Sequence, residues 1–420
     1  MMANPALTEL PPFTLLDEPD LSFSPSDATQ VDVHPLRGLL NFGPYSKGSF
    51  SGYTPRIRIA TVGPESAFHR RGDLMKLLRG VHRPSDRSEY VPEYPGFERL
   101  FRVSLDPAPA SAHIKWPEHL DQLPGDGNAQ HRLYLAMDAA LRRLDAVRNE
   151  FDVVLVHFPD NWDTATRGKF FDAHDVLKAL GAKYNIPTQV LNDRVFNFSF
   201  KASLAWRLST ALYVKAAGTP WKLAPLKGVP ADTAYIGLAY ALRGDQQDAH
   251  YVMCCSQVFD MDGGGMQFVA FDALTGVAEI ECVEVSSASC WRGVWLIKSG
   301  VEKPPSKPSG FPVPRGTMVI RTGNSTLIWV AGNAPEVSTK GDYYQGKKSI
   351  PRPLQLIRHA GSGPLELTAH EALALTKMDW NNDALYDPVP VSIRYSQKLA
   401  RTIANVPDLP RNVYPYRLFM

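Results

Sequence analysis

Cysteine is scarce in this sequence, with four residues among 420. Cys254 and Cys255 are adjacent, Cys282 and Cys290 lie further on, and no two form a Cys-x-x-Cys pair. This spacing gives no indication of a structural zinc site. We therefore expect buried free thiols, as is typical of a reducing compartment.

Long apolar runs are also missing. No stretch reaches the roughly 18 apolar residues that cross a bilayer. The first residues lack a basic region followed by an apolar stretch, so we expect no signal peptide. These two absences predict a protein that has no membrane partner and works in the cytoplasm.

An excess of either charge is absent as well: 45 Lys and Arg stand against 43 Asp and Glu, a net charge of +2. A nucleic-acid surface would therefore need local clustering of basic residues. One cluster lies between residues 69 and 87, and it predicts either a nucleic-acid groove or a solvated helix face. Its members are His69, Arg70, Arg71, Lys76, Arg79, His82, Arg83 and Arg87.

The length predicts two or three domains of about 100–200 residues each. Residues 1–55 are rich in Pro, Ser and Asp, and we expect an irregular leader that packs on a larger body. Residues 56–228 predict an α/β unit with a parallel, Rossmann-like sheet, because strand and helix patterns alternate. The predicted strands are 56–62, 151–158 and 188–191, and the predicted helices are 168–184 and 202–217.

Residues 229–420 have a different pattern, with strands first and a helix late, at residues 391–404. This order is typical of a mixed sheet of ribonuclease H-like type. The predicted strands are 233–242, 250–259, 266–271, 277–284, 316–321 and 326–331.

Four polar residues stand out between positions 171 and 215. His174 and Lys178 are four apart in a helical pattern and so share one face. Gln189 begins a strand, and Lys215 lies in a second helix shortly before Gly-Thr-Pro-Trp. Each residue alone would be an ordinary surface or structural side chain. In this order they resemble the MID domain of Argonaute proteins, which captures the 5′-phosphate of a guide strand. The resemblance implies that these four residues bind that phosphate.

Two strands in the second half resemble the PIWI domain of the same family. Residues 236–239, Ile-Gly-Leu-Ala, resemble its Ile-Gly-Ile-Asp strand, and residues 321–323, Arg-Thr-Gly, resemble its Arg-Asp-Gly strand end. In cleaving members both aspartates bind catalytic metal ions. Here the matching residues are Ala239 and Thr322, and a methyl and a neutral hydroxyl cannot hold two divalent cations. The resemblance therefore implies a chain that does not cut its target.

Further segments extend the resemblance to residues 35–420. Residues 373–382 resemble a PIWI motif that touches the guide backbone, and residues 387–396 resemble the start of the last PIWI helix. They imply backbone contacts from Lys377, Asn381, Asn382 and Arg394. The fourth catalytic position stays open among Asn382, Asp383 and Asp387, and the glutamate of the tetrad is unplaced.

The apolar C-terminal segment resembles a tail that in this family returns between PIWI and MID. The resemblance implies that the Met420 carboxylate and Gln189 hold Mg²⁺ on the guide phosphate. Hydrophobic packing of the tail is the simpler alternative.

No room is left for the N-terminal and PAZ domains of long Argonautes, so the chain resembles the short prokaryotic group. That group implies a defence system with a guide RNA, a single-stranded DNA target and a partner chain. The partner would carry an APAZ region and a TIR, Sir2 or nuclease effector. The guide type, the effector and the oligomeric state stay open.

Two alternatives remain. One is an active nuclease that draws metal ligands from Asp260, Asp262, Asp379, Asp383 or Asp387. The other is a small-molecule α/β enzyme, although only Gly63-Pro64 stands where a Gly-x-Gly-x-x-Gly turn would follow the first strand.

Overall fold

The computed structural model describes twelve stretches of the chain. They are residues 12–47, 56–122, 128–168, 171–230, 233–243, 250–258, 266–273, 293–299, 313–339, 353–381, 386–406 and 414–420. Several expectations lie outside these residues. They are the strand 277–284, Cys282, Cys290, Asp260, Asp262, Asn382, Asp383 and the side chains of Cys254, Cys255 and Thr322.

The first half alternates short strands with helices. Its strands are β1 Thr14–Leu15, β2 Leu21–Ser22, β3 Val31–Asp32, β4 Arg56–Gly63, β5 Ser104–Pro107, β6 His113–Lys115, β7 Val153–His157, β8 Arg167–Gly168, β9 Phe171–Asp172, β10 Thr188–Leu191 and β11 Lys222–Leu223. Its helices are α1 Pro35–Phe42, α2 Glu65–Arg79, α3 Phe97–Phe101, α4 Ala129–Asp145, α5 Asp163–Thr166, α6 Ala173–Lys183, α7 Asp193–Phe196 and α8 Lys201–Lys215.

A parallel sheet organises this half, in the order β10-β7-β4-β5 with β6 also beside β4. Successive side chains of β4 and β7 point to opposite faces. Ile59 and Leu155 join one core with α2 and α8, whereas Val62 and Val156 join another with α4 and α6. Burial on both faces explains the nearly continuous apolar run at β7. The predicted α/β class with a parallel sheet is confirmed.

Helix α6 begins later than predicted. Residues 167–168 and 171–172 pair as a short antiparallel hairpin of β8 and β9. Asp172 then caps the helix, because its side chain accepts hydrogen bonds from the main-chain N–H groups of His174 and Asp175. An aspartate at the N-cap satisfies donors that the first helical turn leaves free.

The second half has strands first and helices later, as predicted. Its strands are β12 Tyr235–Arg243, β13 His250–Val258, β14 Met266–Ala273, β15 Gly293–Ser299, β16 Thr317–Thr322, β17 Ser325–Ile328, β18 Leu354–Gly361 and β19 Tyr414–Pro415. Its helices are α9 Leu365–Leu375 and α10 Val391–Asn405. None of the helices in the described residues is long and apolar enough to cross a membrane.

The described strands of this half pair antiparallel in two sheets, where we expected a mixed sheet. One has the order β12-β13-β14-β19, and the other has the order β1-β16-β17-β18-β15. Short connections favour this result, since only Gly323 and Asn324 separate β16 from β17. Helix α10 crosses β12 at Gly237, where a Cβ atom would collide with the main chain of Ser392. Glycine therefore permits the close contact between strand and helix.

Residues of the leader take part in both halves. Strand β1 pairs with β16, whereas β2 pairs with β3 and β11. Glu18, whose side chain is buried, forms ion pairs with Arg315 at 2.8 Å and Lys377 at 2.9 Å. The described part of the leader is thus tied to the rest of the chain by strand pairing and by buried charges.

Candidate functional site

Two buried lysines meet where α6, α8 and the end of the chain come together. Lys178 is 2% exposed and Lys215 is 0% exposed. The Nζ of Lys178 donates to the main-chain oxygen of Thr188 at 2.6 Å, and that of Lys215 donates to the main-chain oxygen of Met420 at 2.5 Å. Among the described residues, neither amine is paired with an aspartate or glutamate side chain. Buried lysines normally have an acidic partner, so this pair is suited to an external anion.

The electrostatics of the pair support this interpretation. Burial lowers the pKa of Lys178 to about 8. Burial and the neighbouring amine of Lys178 together hold the pKa of Lys215 well below its ordinary value. A bound anion would favour the charged form of both groups.

A third amine comes from α10. Lys398 lies close enough to lower the pKa of both Lys178 and Lys215, and its Nζ stands 4.2 Å from the centre of the Tyr395 ring. Our sequence reasoning missed this residue. A signal was available, since Lys398 lies four residues after Arg394 and three before Arg401 on the predicted helix, on one basic face.

His174 lies at the edge of the same site. It is in the first turn of α6, and 53% of its side chain is exposed. Its Nδ1 is 3.8 Å from a carboxylate oxygen of Asp175. Because Asp172 already occupies the main-chain N–H groups of His174 and Asp175, an anion here would be bound by side chains rather than by the helix N-terminus.

Gln189 is half-buried on β10 and lines a neighbouring cavity of about 250 Å³ together with Asn381. Its Nε2 donates to the main-chain oxygen of Val190 at 3.1 Å, so its Oε1 remains able to accept a bond or bind a metal. Arg207 of α8 lines the same cavity. Sequence reasoning gave no indication of Arg207, because a lone arginine on a helix is usually a solvated residue.

Two other residues predicted to contact the guide backbone lie elsewhere. Lys377 has no exposed side-chain atoms, and its Nζ donates to the main-chain oxygens of Pro19 at 2.5 Å and Val33 at 2.7 Å. In this arrangement the side chain of Lys377 is not accessible to a nucleic acid. Arg394 is 41% exposed and pairs with Asp387 at 3.2 Å.

Ala239 and Thr322, the two positions that the sequence resemblance matches to metal-binding aspartates, lie in different sheets. Ala239 is buried in β12 and stands opposite Cys254. The main chain of Thr322 ends β16 and stands opposite Ser325.

Two candidate metal ligands of the nuclease alternative are engaged within the protein. Asp379 accepts a hydrogen bond from the Tyr395 hydroxyl at 2.6 Å, and Asp387 pairs with Arg394. Burial, reinforced by the charge of Asp379, raises the pKa of Asp387. In the part of the chain that the structure describes, three metal-ligating side chains come together only at Asp172, His174 and Asp175.

The basic cluster between residues 69 and 87 is largely occupied by bonds within the protein. Arg70 pairs with Asp193, and Arg71 contacts His113 at 2.7 Å. Four more of its members form ion pairs with nearby acids. These pairs are Lys76–Asp73, Arg79–Asp106, Arg83–Glu93 and Arg87–Asp86. The geometry favours a solvated and partly neutralised face over a nucleic-acid groove.

Solved structures with the same architecture identify the fold. Clostridium butyricum Argonaute, solved with a guide DNA and a target DNA, covers 94% of this chain at a TM-score of 0.65 and 14% identity. The chain has an Argonaute-like fold. Drosophila Piwi covers 97% at a TM-score of 0.60, and Aquifex aeolicus Argonaute covers 98% at 0.55, each with 12% identity.

This chain spans little more than half of those proteins: the matches cover 53%, 55% and 57% of their lengths. Models of protein families and the sequences of curated proteins give no match. The likeness therefore lies in the fold.

Proposed function

We propose that this protein is a guide-dependent nucleic-acid recognition subunit that binds the 5′-phosphate of its guide and does not cut the target. The convergence of Lys178, Lys215 and Lys398 in an Argonaute-like fold carries the proposal. Lys178 of α6 and Lys215 of α8 are neighbours, and the charge of Lys398 on α10 lowers the pKa of both. Main-chain oxygens of Thr188 and Met420 accept hydrogen bonds from the two buried amines. A phosphate would supply an anionic partner for the two buried amines.

The chemistry of a terminal phosphate matches these residues. It carries roughly −1.5 to −2 charges at neutral pH. Buried amines attract such a charge strongly, because little water remains to screen it. His174 at the edge and Gln189 beside the cavity would add directional hydrogen bonds. A 5′-hydroxyl offers no charge, so it should bind much more weakly.

Magnesium would fit beside the phosphate. Mg²⁺ prefers oxygen ligands and usually keeps several waters. The Oε1 of Gln189 and the carboxylate of Met420 would be its protein ligands. Lys215 already donates to the oxygen of Met420, so the metal and the lysine would share it. The ion would offset part of the charge on the phosphate.

The guide would continue past Gln189 into the cavity with Asn381 and Arg207. Arg207 has no ion-pair partner in the described residues, and it could face a backbone phosphate there. Arg394, partly exposed, remains a proposed backbone contact. We propose an RNA guide and a single-stranded DNA target on the basis of the family resemblance. The C. butyricum protein was solved with DNA in both roles.

A recognition subunit without cleavage needs a second protein to act on the result. Ala239 and Thr322 support the absence of cleavage. We propose an APAZ-containing effector protein as the partner, in a cytoplasmic defence system of prokaryotes. The sequence resemblance to short Argonautes supports this part of the proposal.

The decisive experiment measures the affinity of the purified chain for one RNA guide with either a 5′-phosphate or a 5′-hydroxyl. Fluorescence anisotropy with a 3′ label gives both dissociation constants. We expect the 5′-phosphate to bind at least tenfold more tightly. Equal affinities would contradict the proposal.

A further inference from the structure

The carboxylate of Asp175 joins α6 to α10 beside the lysine site. It is 4% exposed and lies one residue after His174. Arg401 donates to both of its oxygens, from Nε at 3.1 Å and from Nη2 at 3.4 Å, and Asn405 donates from Nδ2 at 2.8 Å. Burial alone would raise the pKa of Asp175, but hydrogen bonds from His174, Arg401 and Asn405 lower it. The carboxylate is therefore held as an anion.

Both partners lie on α10, four residues apart and so on one face of the helix. Lys398 precedes Arg401 by three residues and shares that face. The contact that holds Arg401 against α6 therefore also fixes where Lys398 lies relative to α6, both along the axis of α10 and around it. Other contacts of α10 hold it against β12 instead, including the hydrogen bond from Ser396 to the main-chain oxygen of Gly237 at 2.7 Å.

We infer that Asp175 is a positioning residue, which clamps α10 to α6 and so holds Lys398 beside Lys178 and Lys215. The inference rests on the proposed function, because it assigns Asp175 a role in phosphate binding without contact to the phosphate. A simple contribution to stability is the alternative. The side chain of Arg401 is 66% exposed. Ion pairs that water can reach usually add little stability, because the solvent screens their attraction.

The ratio of two affinities separates these explanations. Loss of stability lowers the folded fraction and weakens 5′-phosphate and 5′-hydroxyl guides equally. A displaced Lys398 weakens only the 5′-phosphate guide. The readout is therefore the phosphate preference, defined as the Kd for the 5′-hydroxyl guide divided by the Kd for the 5′-phosphate guide.

Asp175→Asn keeps the shape of the side chain and removes its charge. We expect the phosphate preference to fall about fivefold to tenfold, within the range measured for coupled neighbours. Arg401→Gln breaks the same contact from the other helix and should have the same effect. Asp138→Asn is the matched control, because Asp138 binds the far end of α6 through Lys183 at 3.2 Å and Tyr184 at 2.9 Å. It should leave the preference unchanged.

Combination with Lys398→Met makes the test specific. Once Lys398 is removed, Asp175→Asn should cause no further loss of preference. An equal loss with and without Lys398, or no loss in the single variants, would overturn the positioning role while leaving phosphate binding intact. A wild-type protein without any phosphate preference would instead contradict the proposed function itself.

Discussion

Lys215 donates a hydrogen bond of 2.5 Å to the main-chain oxygen of Met420, which lies 205 residues further along the chain. This bond joins the last turn of α8 to residues 414–420, whose apolar side chains pack into the same core as α8 and α10. The lysine site is therefore assembled from distant parts of the sequence. Its properties depend on tertiary packing as much as on the lysines themselves.

The first prediction concerns these lysines. Lys178→Met or Lys215→Met removes one amine from the site while keeping an apolar side chain of similar length. We expect each to reduce the phosphate preference roughly tenfold or more, because a hydrogen bond to a charged group is worth about 1.5–3 kcal/mol. Anisotropy with matched 5′-phosphate and 5′-hydroxyl guides measures the change.

Lys183→Met is the control for this experiment. Lys183 lies on the same helix, but 44% of its side chain is exposed and it pairs with Asp138. Its loss should leave the preference unchanged. If Lys183→Met reduced the preference as much as Lys178→Met does, the effect would reflect the net charge of the protein and not a specific site.

The second prediction concerns pH. The pKa of Lys178 is lowered to about 8, and a bound phosphate should raise it. The complex then binds more protons than the free protein, so affinity for the 5′-phosphate guide should fall as pH rises through about 8. The 5′-hydroxyl guide should show much less change. A flat phosphate preference between pH 7 and pH 10 would contradict this prediction.

Stability should change in the opposite direction over the same range. The unfolded chain keeps an ordinary lysine pKa near 10.5, so between about pH 8 and 10.5 it binds more protons than the folded chain. The contribution of Lys178 to the free energy of unfolding should therefore rise with pH in that window. Denaturant unfolding of the guide-free protein, with and without Lys178→Met, measures this contribution as a difference.

Much of the fold could be predicted because strand and helix patterns are local. Strand β10 was predicted with its observed bounds, and α8 and α10 differ from prediction by one or two residues. The pairing of strands could not be predicted in the same way. Nothing local to Thr14 and Leu15 indicates that they join β16, about 300 residues away, because that pairing depends on packing of the whole chain.

The site was predicted in part for a similar reason. Spacing places His174 and Lys178 on one face of a helix, and the resemblance to the MID domain adds Gln189 and Lys215. No spacing rule places Lys398 beside them, since α10 reaches the site only through the folded core. The same limit applies to Lys377, whose motif is typical of a guide contact although its amine is buried.

The third prediction concerns Lys377. Its amine contacts Glu18 and two main-chain oxygens. Removing one partner of a buried ion pair leaves the other charge buried and unpaired, so Lys377→Met should lower the free energy of unfolding by about 3 kcal/mol. Guide affinity per folded molecule should not change. Lys76→Met is the control, because the side chain of that lysine is 84% exposed. Its loss should change the free energy of unfolding by less than about 0.5 kcal/mol. If Lys377→Met weakened guide affinity without changing stability, the result would support the predicted contact between Lys377 and the guide backbone.

The fourth prediction concerns cleavage. The guide-loaded chain should retain a complementary strand uncut in Mg²⁺ or Mn²⁺, since neither Ala239 nor Thr322 supplies a carboxylate to hold two metal ions. Ala239→Asp with Thr322→Asp should not restore cutting, because Asp379 and Asp387 are already bonded to Tyr395 and Arg394. Gel analysis of a labelled target gives the readout. Guide-dependent cutting that survives repeated purification would support the nuclease alternative instead.

The last prediction concerns the partner. A chain that binds a guide and a target without chemistry requires a second protein to respond, and we expect a stable heterodimer with an APAZ-containing effector. Target pairing can activate that effector only if the paired and unpaired states contact it differently. Co-expression with the neighbouring gene product, followed by affinity purification, tests the complex. Addition of guide alone, then guide with a matched or a scrambled target, tests activation by NAD depletion or by nuclease activity. Only the matched target should activate, and Lys178→Met should weaken the response at limiting guide. Failure to copurify, or equal activity with a scrambled target, would exclude this partner.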